Sequence, residues 1–282
     1  MRRASNIFFA TLCGLCALIA CGLLFGLVLV IAQRGIPALS WSFITEQIRQ
    51  VGAEGGIFYN LVGTIILLGT TILICAPIAI GLALTHSVYL KGAAAKSRLG
   101  LFLYTLNGIP SIALGIFGFI VFVKYLNWGK SWFIGGVLLA IMILPTVTIA
   151  LIERIKALPR KYLEAATGLG LHQSQIVWSV ILPQSWSGLI TGSLLGLARA
   201  AGETAPIMFT ATIFAGATLP HGVRQSPVLS LPYHIFILAQ DSFDPAVGAK
   251  LWGSALVLLA LVFTLSLLAL PIRLRLHDEA RS

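Results

Sequence analysis

Six runs of about 20 or more apolar residues divide this chain, at 7–32, 58–84, 99–123, 132–152, 189–214 and 251–271. A run of that length crosses the roughly 30 Å hydrocarbon layer of a bilayer as a helix, at about 1.5 Å per residue. The helix is the expected form because lipid offers no partner for backbone N–H and C=O groups. Composition agrees: of 282 residues, 58% are hydrophobic and only 10% charged, and the mean hydropathy is +0.96. A soluble domain carries about 25% charged residues. The expected fold is all-α: a polytopic membrane protein with six transmembrane helices.

The net charge of +10 does not point to nucleic acid. The basic residues sit in short segments between the apolar runs, where they set orientation. With the N-terminus in the cytoplasm, Arg2, Arg3, Lys91, Lys96, Arg98, Arg154, Lys156, Arg160, Lys161, Arg273, Arg275 and Arg281 face inward. Arg34, Arg49, Lys124, Lys130, Arg224 and Lys250 face outward, and Arg199 falls inside a run. The bias places both termini in the cytoplasm. Arg2 and Arg3 ahead of an apolar stretch resemble a signal peptide, but the 7–32 run is too long for one and reads as a retained helix. Cys13, Cys16, Cys21 and Cys75 all lie in apolar runs and read as small hydrophobes.

Pro77, Pro110, Pro145 and Pro206 interrupt four of the runs. Each removes a donor and frees the carbonyl four residues earlier, on Leu73, Leu106, Ile141 and Gly202. Four interrupted spans fit a transporter or channel better than an anchor, although kinking for packing alone gives the same pattern. Gly188, Gly192 and Gly196, spaced by four, predict a face on which another helix packs closely. Gly22 and Gly26 form a weaker second instance.

The segment 153–187 joins two spans and carries Leu163, Ile176, Val177, Trp178, Val180, Ile181 and Leu182. The apolar part is too short to cross a bilayer, so it predicts a protein docking surface. Pro159 suits a first helical turn, Gly168 and Gly170 permit a turn, and a second helix is expected from about His172 to a stop at Pro183. Within it, Glu164-Ala165-Ala166, then Gly170, then Val180-Ile181-Leu182-Pro183 resembles the EAA signature of permease subunits of binding-protein-dependent ABC importers. Val180 stands where isoleucine is usual. The resemblance covers about 58–271 and implies a type I importer (MetI-like) core, with 1–57 an added N-terminal helix and outer loop and 272–282 a cytoplasmic tail. It implies that Glu164, Ala165, Ala166 and Gly170 couple to a separate ATPase. It also implies a second homologous permease in a heterodimer, two ATPase subunits and an extracytoplasmic binding protein, in a bacterial cytoplasmic membrane.

Arg199 and Glu203 lie in the middle of the fifth run. Four residues apart, they share a helix face and can pair. A lone mid-bilayer arginine costs roughly 2.5–3.5 kcal/mol on insertion scales, which makes the pair a functional candidate. The string Arg199-Ala200-Ala201-Gly202-Glu203-Thr204-Ala205-Pro206 resembles the fifth span of permeases of the phosphate-specific importer, and Leu231-Pro232-Tyr233-His234-Ile235-Phe236 resembles an outer loop of the same family. The resemblance implies inorganic phosphate as cargo and a phosphate-binding protein outside. Arg199 would offer a guanidinium fork to the anion. Glu203 would accept a hydrogen bond from a protonated phosphate and repel sulfate. A pair that only neutralises charge and locks packing stays open as the alternative. Thr204, with Asn107 and Ser111 at the break in the third run, completes the expected substrate path; local helix repair by the Ser111 hydroxyl is the other reading.

Gly129-Lys130-Ser131 mimics the end of a phosphate-binding loop, but the required earlier glycine is Lys124. This chain is therefore expected to bind no ATP or Mg itself, and the scattered histidines predict no metal site. Other readings are an importer for phosphonate, molybdate or sulfate; an ATP-independent secondary transporter or channel, which has no need of the EAA loop; and an intramembrane enzyme, for which no catalytic set is present.

Overall fold

The structure is a computed structural model and describes residues 2–49, 54–214, 216, 219–240 and 244–279. Arg281, counted above among the inward-facing charges, lies outside the described residues. The elements in chain order are α1 (Arg2–Gly35), α2 (Trp41–Thr45), β1 (Ile48–Arg49), β2 (Glu54–Gly55), α3 (Phe58–Leu84), α4 (Ala93–Asn107), α5 (Ser111–Gly118) and α6 (Trp132–Lys156). They continue with α7 (Arg160–Gly168), α8 (Gln173–Ile176), α9 (Leu182–Ala201), α10 (Ala205–Thr210), α11 (Leu231–Gln240) and α12 (Pro245–Glu279). The two strands form one small antiparallel hairpin, with Ile48 opposite Gly55. The all-α expectation holds.

Among the described residues, five helices are long and apolar enough to cross a membrane, in α1, α3, α6, α9 and α12. The expected third span, 99–123, is a broken one: α4 and the helix beginning at α5 meet at 87°. The cause is local. Pro110 lacks an N–H and biases Ile109 away from helix, and Pro110 itself is extended at φ −59°, ψ 131°. The Gly108 N–H turns back onto the Tyr104 and Thr105 carbonyls, and the Ile109 N–H onto Leu106. By contrast, α3 and α6 run on through Pro77 and Pro145.

The fifth span also differs from its expected 189–214 extent. Helix begins at Gln173 and ends at Ala201, so the second coupling-loop helix does not stop at Pro183. A π turn over Val177–Ile181 joins it to α9, with the Leu182 N–H reaching the Val177 carbonyl. Pro183 then occupies the first turn of α9, where a missing N–H is harmless.

Helix α6 is the axis of the bundle, packed by α3 on one side and α9 on the other, with α12 behind α9 and α1 against α12. Its core residues Leu138, Ile143 and Val147 are fully buried. The glycine row on α9 faces α6. A Cβ on Gly188 would lie 2.5 Å from the Arg154 Cβ, one on Gly192 2.9 Å from the Ala150 Cβ, and one on Gly196 3.2 Å from the Ile143 Cβ. These contacts make α6 and α9 antiparallel neighbours in backbone-to-backbone proximity. Gly22 and Gly26 on α1 meet nothing within 4 Å. At the other end of α3, the Leu231 N–H donates to the Thr64 hydroxyl at 2.9 Å, which pins the start of α11 to α3.

Candidate translocation site and coupling loop

Two broken spans come together. The break between α4 and α5 (108–110) lies beside the break between α9 and α10 (202–204), and α10 packs along α5. The approach is close enough that a Cβ on Gly115 would sit 2.6 Å from the Ala205 carbonyl oxygen and 2.9 Å from the Pro206 Cα. Only glycine lets these backbones touch. Across the breaks, Arg199 Nη1 donates to Asn107 Oδ1 at 2.8 Å.

That contact replaces the expected Arg199–Glu203 pair. Helix α9 ends at Ala201, with Gly202 as its cap, so Arg199 is in the last helical turn while Glu203 has left the helix. The reason is again proline: Pro206 has no N–H for the Gly202 carbonyl and instead opens α10 in its first turn. Among the described residues no ion pair joins Arg199 to Glu203. Glu203 and Thr204 are half-buried in the break, as is Ser111 at the start of α5; Arg199 and Asn107 are exposed. The Ser111 hydroxyl makes no hydrogen bond among the described residues, so it does not repair the break.

Depth follows from the packing register. Gly196 opposes Ile143, so Arg199 is level with about Leu139 or Ala140, roughly 11 Å along α6 from Trp132 and ~24 Å from Lys156. Arg199 is therefore level with an apolar stretch of α6, and its side chain is exposed.

At the opposite end of α6, α7 carries the residues expected to couple to the ATPase, with Gly170 just beyond it. Glu164 and Ala165 are exposed while Ala166 is buried at 4% exposure. Gly170 adopts φ +74°, a left-handed cap in which the Leu171 N–H bonds the Ala166 carbonyl and the Gly170 N–H that of Thr167. Leu169 is 81% and Trp178 73% exposed, a pair of large apolar side chains beside the cap. Two contacts tie this unit to the bundle: Gln173 Nε2 donates to the Val88 carbonyl at 3.3 Å, and Arg154 Nε to that of Gln184 at 3.2 Å.

Sequence reasoning passed over one structural role. Lys130 Nζ donates to the Met208 and Thr212 carbonyls, each at 3.0 Å, which satisfies the end of α10 where helix carbonyls lack partners. Burial holds the Lys130 ammonium below the usual lysine range. The carbonyls it serves are 78 and 82 residues away, and no local pattern signals them.

A bundle of interrupted membrane helices with a capped loop at one end is an architecture that suits a transport permease. Residues 76–277 match the family described as the binding-protein-dependent transport system inner membrane component, and the chain belongs to that family. It is a multi-pass protein of the inner membrane and a subunit of an ABC importer. Among its relatives, the probable ABC transporter permease protein YqgI of Bacillus subtilis is 29% identical over 278 residues, 94% of each chain. Phosphate transport system permease protein PstA of Haemophilus influenzae is 30% identical over 85% of this chain and 82% of its own. PstA 1 of Mycobacterium tuberculosis is 31% identical over 86% and 80%. Inward-facing structures of the MetNI methionine ABC transporter share the fold: one matches 80% of this chain and 93% of its own at a TM-score of 0.52 and 16% identity.

Proposed function

We propose that this permease carries inorganic phosphate from an extracytoplasmic binding protein into the cytoplasm. ATP is bound with Mg and hydrolysed on two separate ATPase subunits, and a second, homologous permease completes the membrane unit. The observation that carries the reading is Arg199, an exposed cation in the fifth apolar run, held to Asn107 by one hydrogen bond among the described residues. Such a charge does not face lipid. It is best accommodated against a water-lined path shared with the second permease. Two relatives named as phosphate permeases, at 30% and 31% identity, favour phosphate.

The chemistry follows from the donor count. A guanidinium has five N–H donors, and one is used by Asn107. The remainder offer a fork to an oxyanion. Glu203, half-buried in the adjacent break, accepts a hydrogen bond from the proton that phosphate keeps near neutral pH. Sulfate has none to give. Glu164, Ala165, Ala166 and Gly170 dock on the ATPase, both termini are cytoplasmic, and the importer core spans 58–271.

Uptake by cells that lack other phosphate importers tests the reading. Arg199→Ala removes ATP-driven phosphate uptake although the complex still assembles, and Glu203→Gln retains uptake while losing preference over sulfate. Full uptake by Arg199→Ala overturns the path; unchanged discrimination by Glu203→Gln overturns the selectivity role.

A further inference from the structure

The outer ends of α6 and α10 carry a basic cleft that the translocation path does not use. A cavity of about 370 Å³ opens there, lined by His221, Arg224, Gln225 and Ser226, with Leu219 and Pro227 at its apolar margin. Its walls are fastened to the start of α6. Trp132 Nε1 donates to the Gly222 carbonyl at 2.7 Å, the Ser131 hydroxyl donates to the Val223 carbonyl, and the Trp132 N–H donates to the Ser226 carbonyl at 3.1 Å. The Gln225 N–H donates to the Trp128 carbonyl at 3.0 Å, and Ser226 Oγ accepts the His221 N–H at 3.1 Å. Gln225 is held at φ +48°, a left-handed conformation that non-glycine residues avoid and that recurs at binding sites.

The charge is one-sided. Segments 124–131 and 219–230 contain Lys124, Lys130, Arg224 and His221 and no aspartate or glutamate. The Arg224 guanidinium lies over the Trp128 ring at 5.1 Å and has no hydrogen-bond or ion-pair partner among the described residues. The cation–π contact holds the guanidinium beside the indole and leaves its N–H donors unspent among the described residues, able to take a carboxylate by two parallel bonds.

We propose that this cleft is a docking pocket for a carboxylate side chain of the extracytoplasmic binding protein. The proposal rests on the importer reading and its orientation. Arg224 supplies the fork, and the stapled 221–226 loop keeps it in place before the partner arrives. A protein carboxylate is favoured over free phosphate because Arg224 and His221 are exposed at the rim, where a small anion stays hydrated. A protein surface excludes that water and adds the apolar margin of Leu219 and Pro227.

The test uses the assembled permease–ATPase complex in nanodiscs with its phosphate-loaded binding protein, and reads the binding-protein concentration that half-maximally stimulates ATP hydrolysis. Arg224→Glu raises it about tenfold and flattens its salt dependence, as loss of a charge pair at a rim does. Arg224→Lys falls between, and Lys124→Glu, whose ammonium lies over the Phe119 ring outside the pocket, changes it little. Hydrolysis without binding protein stays at the wild-type level in all three, which reports intact assembly. Equal half-saturation for wild type and Arg224→Glu, or an equal loss in Lys124→Glu, overturns the pocket. A wild-type complex that no binding protein stimulates overturns the importer reading and the pocket together. Competition of free phosphate, but not of an acidic peptide, against docking overturns the choice of a protein carboxylate.

Discussion

Arg199 shows how a single cation organises a membrane protein when it cannot be left bare. The sequence places it four residues from Glu203, and helical spacing alone pairs them. The structure gives it to Asn107, 92 residues away at 2.8 Å, because the helix has already ended. That partnership was not legible locally: it depends on two breaks meeting in space. The neutral amide matters, since it orients the guanidinium without cancelling its charge. Asn107→Asp is expected to close an ion pair on Arg199 and lower phosphate uptake at least about tenfold, because an adjacent opposite charge competes for the same cation. Asn107→Ala keeps most uptake. Uptake by Asn107→Asp equal to wild type, measured on equal amounts of assembled complex, removes Arg199 from the anion's path.

Elements were legible where hydropathy alone decides them. Helices α1, α3, α6 and α12 fall where the apolar runs fall. Four prolines were visible as well, but not which of them break a helix. Pro77 and Pro145 have apolar neighbours and stay within helices, whereas Pro110 and Pro206 follow Asn107-Gly108 and Gly202-Glu203-Thr204, where polar groups and glycine make an end affordable. The continuity of the loop with α9 was hidden for a different reason: Pro183 reads as a stop unless the π turn before it is known. The α6–α9 contact carries its own prediction. A Cβ on Gly192 meets the Ala150 Cβ at 2.9 Å and the Val147 Cα at 3.1 Å, so Gly192→Val forces the helices apart at about 1–3 kcal/mol. The melting temperature of the purified complex should fall accordingly. Gly26→Val, with open space around it, should leave it in place.

For the whole molecule, the bundle joins two regions at opposite ends of α6: the paired breaks within the apolar layer and the capped loop at the Lys156 end. The loop joins α9 without interruption from Gln173 to Ala201, so displacement of the loop reaches the residue turn that holds Arg199 through one helix. The proposed coupling to the ATPase would load the cap that precedes this helix. Gly170 is left-handed at φ +74° with nothing within 4 Å of a Cβ, so Gly170→Val acts on backbone conformation alone, at roughly 1–2 kcal/mol. The expected outcome is less phosphate moved per ATP hydrolysed, while Gly168→Val, also in open space but without a positive φ, couples normally. Equal coupling ratios in the two variants separate the loop from force transmission.

ATP-driven import of phosphate through this chain can be reconstituted from its parts. Proteoliposomes that contain the two permeases and two ATPases, supplied with binding protein and radiolabelled phosphate, test it most directly. The expected result is accumulation against a gradient that requires both ATP and binding protein and is competed by unlabelled phosphate but not by sulfate. Accumulation that continues without the ATPase subunits, or that sulfate suppresses as well as phosphate does, contradicts it.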